Sequence, residues 1–446
     1  MKDMTTGNEA KLIAKFMLPL LAGAVLQQLY VIVDSIVVGQ VLGKDALAAV
    51  GGSAWLTTLM VSLIMGFTMG ATILISQYFG QKDLNSIKKI VSTTYITLFI
   101  ASLIVSAVGI IFCEPLLLAV KTPPEILPIT KSYLNIIFIG TTFTFGYNAV
   151  SSILRGLGDS IRPLIYLVIA TIINIILDII FVAYFGWHVA GAAWATIIAQ
   201  AFSLIFSLFH LSATNEIFRF RLRTLKFDRK LFYESIKIGI PSGLQQIAMS
   251  IAFLIMQSLI NSYGTDVISG FTAGSSIENI AFLPVMNFSL AMSAFTGQNI
   301  GARRLDRIKR GYHATLIMSI TLAAITSVVL YIYAPQLMLI FLSKEKAPEA
   351  INHGIALLRI IVPFYVFGAF MFATNGVIRG AGDAITSLIL TILTLIAVRI
   401  PLAFFLSKIW NSDGILWSFN FAWIFGCVAS YLYFKTGLWK KKALTH

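Results

Sequence analysis

The stretch TIINIILDIIFVAYF, residues 171–185, is apolar at nearly every position yet carries Asn174 and Asp178 in its middle. In the whole chain of 446 residues, 58% are hydrophobic and only 12% charged; a soluble globular chain is roughly 25% charged. Apolar runs long enough to cross a hydrocarbon layer of about 30 Å as helices recur along the sequence. The opening stretch therefore reads as one membrane span among many. Asp178 is then a carboxylate that insertion scales penalise by about 2.5–3.5 kcal/mol at mid-bilayer. It is expected to face protein or water, not lipid.

Outward from this stretch, the hydropathy pattern predicts twelve spans, at about 12–38, 52–77, 90–113, 128–153, 163–185, 190–212, 235–262, 267–296, 312–334, 352–378, 384–407 and 414–436. The first follows Lys11 and Lys15 and stays apolar to about Val38, which is too long for a cleaved leader. With the N-terminus inside, only Lys44, Lys121, Lys131, Lys344, Lys346 and Lys408 fall on the outer side. Arg359 and Arg399 lie within spans, and every other Lys and Arg is cytoplasmic. This asymmetry predicts a multi-pass protein of the cell (inner) membrane with both termini in the cytoplasm. It also accounts for the net charge of +14, so no nucleic-acid partner is expected. Cys113 and Cys427 form no disulfide framework or metal-thiolate spacing.

The sequence repeats itself at an offset of about 220 residues. ILRGLGDSIRPLI (153–165) matches VIRGAGDAITSLI (377–389), and SQYFGQKDLNSIKKI (76–90) matches TGQNIGARRLDRIKRG (296–311). LPLLAGAVLQQL (18–29) matches IPSGLQQI (240–247) across a gap, and AGAAW (190–194) matches DGILW (413–417). Six spans per repeat is an even number, so the halves share one orientation and imply a pseudo-two-fold along the membrane normal. The expected fold is an all-α polytopic membrane protein of twelve transmembrane helices in two six-helix lobes. The N-lobe is residues 1–212, the cytoplasmic linker 213–234 and the C-lobe 235–446. Two such lobes suggest a transporter with its substrate path between them. No phosphate-binding loop is present, since RGLGD and RGAGD lack the lysine. No nucleophile–base or metal-ligand spacing suggests an enzyme, and no cofactor is expected. An ion gradient remains as the energy source, and it requires a cation-binding group inside the membrane.

Asn174 and Asp178 are four residues apart and share one helix face. Asp34 interrupts the first span, Tyr133 lies early in the fourth and Thr196 early in the sixth. At about 1.5 Å per residue, Asp34 and Asp178 sit roughly 28 and 22 Å from the inner side. Tyr133 and Thr196 enter from outside, so one cluster in the outer half of the membrane is geometrically allowed. Two close carboxylates in a low dielectric cannot both ionise cheaply, so a proton is shared or a cation holds both charges. Na⁺, a hard cation that oxygen donors suit, and H⁺ serve equally, and Asp34 and Asp178 are the candidate Na⁺ ligands (by analogy with other hard cations). The bland reading of the same residues is polar glue between helices. Glu278, near the middle of the eighth span, either contacts a cationic substrate or pairs with Arg359 or Arg399. The second-half counterpart of Asp178 falls near Leu402, and that of Asn174 near Val398 or Arg399. A guanidinium there would repel a cation, so ion coupling is expected in the first half alone. Pro19 removes one backbone hydrogen bond from the first helix, which makes it a candidate hinge or a static kink.

VDSIVVGQVLGKDALAAVG (33–51), RGLGD, RGAGD and GQNIGARRLDRIKRG together resemble the multidrug and toxic compound extrusion (MATE) family over nearly the whole chain. The resemblance implies an antiporter that expels mostly cationic, amphipathic compounds against inward H⁺ or Na⁺. It also implies two six-helix lobes forming a V around a central cavity. It assigns Asp34, Tyr133, Asn174, Asp178 and Thr196 to a first-lobe ion site, and Gln27 and Asn148 to the substrate cavity. Members with a second-lobe cation site carry acids on the seventh and tenth helices; here the cores of those helices have none. The expected partners are small cationic drugs or toxins and membrane lipids, and the chain is expected to act as a monomer. The alternative within the wider superfamily is a flippase for lipid-linked saccharides. Its anionic pyrophosphate would require several cavity Arg or Lys, and the spans hold only Arg359 and Arg399.

Overall fold

The computed structural model describes residues 2–214, 225–345 and 347–442, with the side chains of Lys44, Ala54 and Thr214 left aside. The middle of the expected linker, 215–224, and the outer-side Lys346 lie outside the described residues. The elements are α1 (Glu9–Leu42), α2 (Lys44–Gly80), α3 (Leu84–Ala119), α4 (Leu127–Ile139), α5 (Thr141–Gly156), α6 (Ile161–Asp178) and α7 (His188–Thr214). They continue as α8 (Arg229–Asn261), α9 (Thr265–Gly301), α10 (Leu305–Phe341), α11 (Pro348–Ile361), α12 (Tyr365–Gly380), α13 (Ala384–Ile392) and α14 (Ile400–Thr436). Two π-helical turns interrupt this series, Ile179–Tyr184 after α6 and Leu393–Arg399 between α13 and α14. No strand occurs among the described residues. In hydrocarbon only a helix satisfies its own backbone polar groups, so apolar runs of this length have no other regular structure open to them.

Among the described residues, ten helices are long and apolar enough to cross a membrane, and the pair α4 and α5, bent by 47°, makes an eleventh. The last run, Ala384–Thr436, breaks at Trp410 and Asn411, where Asn411 has φ 49°, and so divides into two. This multi-pass arrangement yields the twelve spans read from hydropathy. The repeat is also written in the backbone. Some of the left-handed residues occur in pairs at about the repeat offset: Gly43 (84°) with Gly264 (93°), and Lys82 (62°) with Arg303 (57°). Gly158 (77°) pairs likewise with Gly382 (97°), and His188 (50°) with Asn411 (49°). These are the points where the chain reverses between helices, and an L-residue adopts them at a cost that only the turn geometry offsets.

The chain forms two compact units, one of Met1–Lys2 with Ala22–Ile240 and one of Asp3–Leu21 with Pro241–His446. In the first, α2 packs on α3, α4 and α5 around Leu56, Met60, Ile64, Leu98, Leu134 and Phe138. The start of α8 belongs here too. It lies so close to α2 that a Cβ on Gly70 would stand 2.2 Å from the Ser235 carbonyl oxygen, a small-residue contact of the kind that lets membrane helices approach. In the second unit, α9 is the central helix and packs on α10, α11 and α12. The start of α1 belongs to this unit, with Met4, Ile13, Phe16 and Met17 buried among Phe288, Met292 and Phe295. The Met4 amide donates to Gln298 Oε1 at 2.9 Å, and Glu9 Oε1 stands 3.1 Å from Arg307 and 2.9 Å from Arg310.

The units therefore divide the chain differently from lobes cut at 213–234. The first helix of each repeat begins in one unit and ends in the other. The changes fall at Leu21–Ala22 and Ile240–Pro241, beside the intrahelical Pro19 and its repeat counterpart Pro241. Hydropathy cannot show this, because the packing partner of an apolar helix leaves no mark on its period.

Candidate functional site

Asp178 ends the α-helical part of α6 and is followed at once by the π-helical turn Ile179–Tyr184. Such turns insert an extra residue and cluster at functional sites. Asp178 and Asn174 are each 1% exposed, so the face they share points into the first unit. The Asn174 amide is satisfied at both ends when its nitrogen is turned toward Asp178. Nδ2 then donates to Asp178 Oδ2 at 2.9 Å, and Oδ1 accepts from the Thr196 amide at 3.2 Å. Thr196, near the start of α7, also lies 3.1 Å, hydroxyl to hydroxyl, from Tyr30 of α1.

Asp34 follows Tyr30 by one turn of α1 and is half-buried. Tyr30, Asp34, Tyr133 of α4 and Asp178 all lie within range of one another's charge. One oxygen of each acid, Asp34 Oδ1 and Asp178 Oδ1, is buried with no hydrogen-bond partner. Four helices thus bring together two carboxylates and a shell of neutral oxygens: the Tyr30, Tyr133 and Thr196 hydroxyls and the Asn174 amide. Unpartnered carboxylate oxygens in a dry site are costly. A proton on one of them, or a small hard cation between them, relieves that cost, and the neutral oxygens suit either. No group of three or more His, Cys, Asp or Glu placed to hold a metal ion occurs among the described residues.

Five of the residues read from sequence therefore meet: Asp34, Tyr133, Asn174, Asp178 and Thr196. Tyr30 joins them and was missed; the signal available was its spacing of four from Asp34 on the same helix. Gln27 is exposed on α1, and Asn148 donates to the Thr144 carbonyl one turn back in α5 at 2.9 Å. Neither belongs to the cluster. Pro19 lies inside α1, in the part that packs with the second unit. Glu278 lies half-buried on α9 of that unit, within reach of the charge of Arg399. Arg359 instead stands over the Tyr331 ring at 5.6 Å.

The MatE family model matches residues 19–180 and 241–405, one match in each repeat. Among named relatives, the chain is 31% identical to the probable multidrug resistance protein YpnP of Bacillus subtilis (strain 168), covering 99% of this chain and 98% of that one. It is 25% identical to the probable multidrug resistance protein NorM of Thermotoga maritima, over 97% and 94% of the two chains. Among solved structures it superposes on an outward-facing multidrug resistance MATE family transporter of the MOP superfamily. The TM-score is 0.92 and the identity 23%, with 99% of each chain covered. Family match, full-length relatives and twelve-span fold agree: the chain belongs to the MATE family of membrane transporters.

Proposed function

We propose that the chain is a multidrug efflux antiporter that exchanges H⁺ or Na⁺ for amphipathic, mostly cationic compounds by alternating access. The observation that carries this reading is the pair of buried, unpartnered carboxylate oxygens on Asp34 and Asp178 in one pocket of the first unit. Loading with a proton or Na⁺ removes the repulsion between the acids and the desolvation penalty of leaving them charged. Unloading restores both. A shift between states follows only if the ion binds one state more tightly than the other. Asp34 is carried on α1, so a change in its charge acts on the helix that contains Pro19, where one backbone hydrogen bond is missing. The protein would sit in the inner membrane with both termini in the cytoplasm, working as a monomer.

The test uses everted membrane vesicles from cells producing the protein and a fluorescent lipophilic cation, with pH and Na⁺ gradients imposed separately. Accumulation of the dye driven by one gradient and collapsed by its dissipation is the expected result. Dye movement indifferent to both gradients would reject ion coupling, and no movement above that of control vesicles would reject efflux.

A further inference from the structure

One face of α7 carries a line of polar residues of which the ion site uses only the first. Thr196, Gln200, Ser203, Ser207 and His210 follow one another at intervals of four, three, four and three, so they form a single stripe along the helix. Ile198, Phe202, Ile205 and Phe209 on the opposite face are exposed, and Ser203 and Ser207 are fully buried, so the stripe points into the first unit. Ser203 Oγ donates to the Tyr166 carbonyl of α6 at 3.1 Å, and the Tyr166 hydroxyl meets His210 Nδ1 at 2.8 Å. Gln200 Oε1, between Thr196 and these contacts, is buried with no hydrogen-bond partner. At about 1.5 Å per residue the stripe covers roughly 21 Å. One turn before Tyr166, Arg162 pairs with Asp159 at 3.4 Å, so the stripe ends at a charged edge of the unit.

Helix packing accounts for the serines, whose hydroxyls bond carbonyls readily in membrane helices. It does not account for the histidine, nor for a buried amide oxygen left without a donor, which costs free energy. The shared frame does not require the stripe either. Counting from AGAAW against DGILW, its five positions become Phe419, Trp423, Gly426, Ser430 and Tyr433 in the second half. Trp423 stacks on Phe282 at 5.5 Å, an aromatic contact where the first unit keeps an amide. The polar line thus occurs in the unit that holds the two acids. A proton taken up there needs a way onward, and hydroxyls, an amide and an imidazole all hold the hydrogen bonds along which one passes. We propose that the stripe is the relay by which protons from Asp34 and Asp178 leave toward the cytoplasm, with His210 as the last acceptor. Gln200, where the line is interrupted in this structure, is its gate, and water bridging there completes it. A carboxylic acid gives up the proton and is left as the carboxylate. Tyr166 hands its own proton to His210 Nδ1 and takes another in its place, and the imidazolium releases its proton to solvent. The inference deepens the antiport reading and rests on it. It selects H⁺ as the coupling ion, because an imidazole accepts a proton and offers Na⁺ no oxygen.

The test measures the initial rate of ethidium accumulation in everted vesicles under an acid-inside pH gradient. Fluorescence anisotropy of ethidium with the purified full-length protein in lipid nanodiscs gives binding separately. His210→Asn keeps a hydrogen-bonding group at the place of Nδ1 but cannot titrate, and it should lower the rate several-fold. His210→Asp supplies a group that titrates again and should recover most of the rate. Gln200→Leu removes the polar group at the gate and should slow export several-fold as well. All three variants should bind ethidium as the wild type does. A wild-type rate in His210→Asn would overturn the proposal, as would equal slowing in His210→Asn and His210→Asp, or a wild-type rate in Gln200→Leu. Slowing that follows a loss of ethidium binding would assign the stripe to packing and also overturn it. Wild-type export driven by a Na⁺ gradient alone would end the proton relay and leave the antiport reading standing. No export under either gradient would reject the antiport reading and the relay with it.

Discussion

The surroundings of Asp178 and those of Arg399 lie at nearby points of two related sequences and carry opposite charge. In the first unit, Asn174 bridges Asp178 and the Thr196 backbone, with Asp34 and two tyrosines close by. In the second, Val398 or Arg399 stands where Asn174 would, and Phe419 stands where Thr196 would. A hydrogen-bonding hydroxyl has become an aromatic face, and a positive charge lies at or beside the place of the amide. Four left-handed positions of one half recur in the other, and each half has a π-helical turn near this region, though at different points of the repeat. Duplicated scaffolding therefore carries no guarantee of duplicated function. What a lobe can bind is decided by a few side chains projecting from a shared frame.

The sharpest way to break this contrast is to remove or invert the first pocket. Asp34→Asn should reduce gradient-driven dye export to the level of control vesicles, while membrane abundance by immunoblot is kept. Retained export would end the assignment. Asn174→Arg imports the second unit's charge into the first, and a guanidinium beside Asp178 should pair with it and exclude the coupling cation. Export should fall as far as in Asp34→Asn; a variant that still couples would show that the second unit's arginine is no bar to cation binding.

Pro19→Ala tests whether the weak point in α1 is a hinge. It restores one helical hydrogen bond, and export should drop several-fold with expression unchanged. Unchanged export would make the proline a static kink. Tyr30→Phe removes only the hydroxyl that contacts Thr196. The concentration of coupling ion needed for half-maximal export should rise by about two- to fivefold, in line with about 0.5–1 kcal/mol for one hydrogen bond. The smallest effect lies in the shared frame. Lys82→Gly and Arg303→Gly each place glycine at a left-handed position and should raise thermal stability by on the order of 0.5–1 kcal/mol. A gain at one position and a loss at the other would show that the matched turns are under different constraints.

Much of this was legible before any coordinates. Apolar runs predict the spans, because a bilayer leaves only one way to satisfy a backbone. The four-residue spacing of Asn174 and Asp178 predicts their shared face. The cost of a charge in hydrocarbon marks Asp34, Asp178, Glu278 and Arg399 as residues needing a partner. Tyr30 escaped notice because an aromatic in a membrane helix is ordinary, and only its contact with Thr196 sets it apart. Glu278 had two candidate arginines in the sequence, and the stacking of Arg359 on Tyr331 separates them.

By itself, then, the sequence determined the class of protein, the number and order of spans, the repeat and the two charged places within it. These follow from local quantities: hydropathy, helical period and the free energy of burying a charge. Tertiary structure alone decided that α1 and α8 each change unit near a proline. It also decided that Asn174 ties Asp178 to the backbone of another helix, and that one edge of Arg399 is left unpaired above Phe419. Each of these depends on which helix face meets which neighbour. In a membrane that choice is set by side-chain packing and interhelical hydrogen bonds rather than by hydrophobicity, since every candidate face is already apolar.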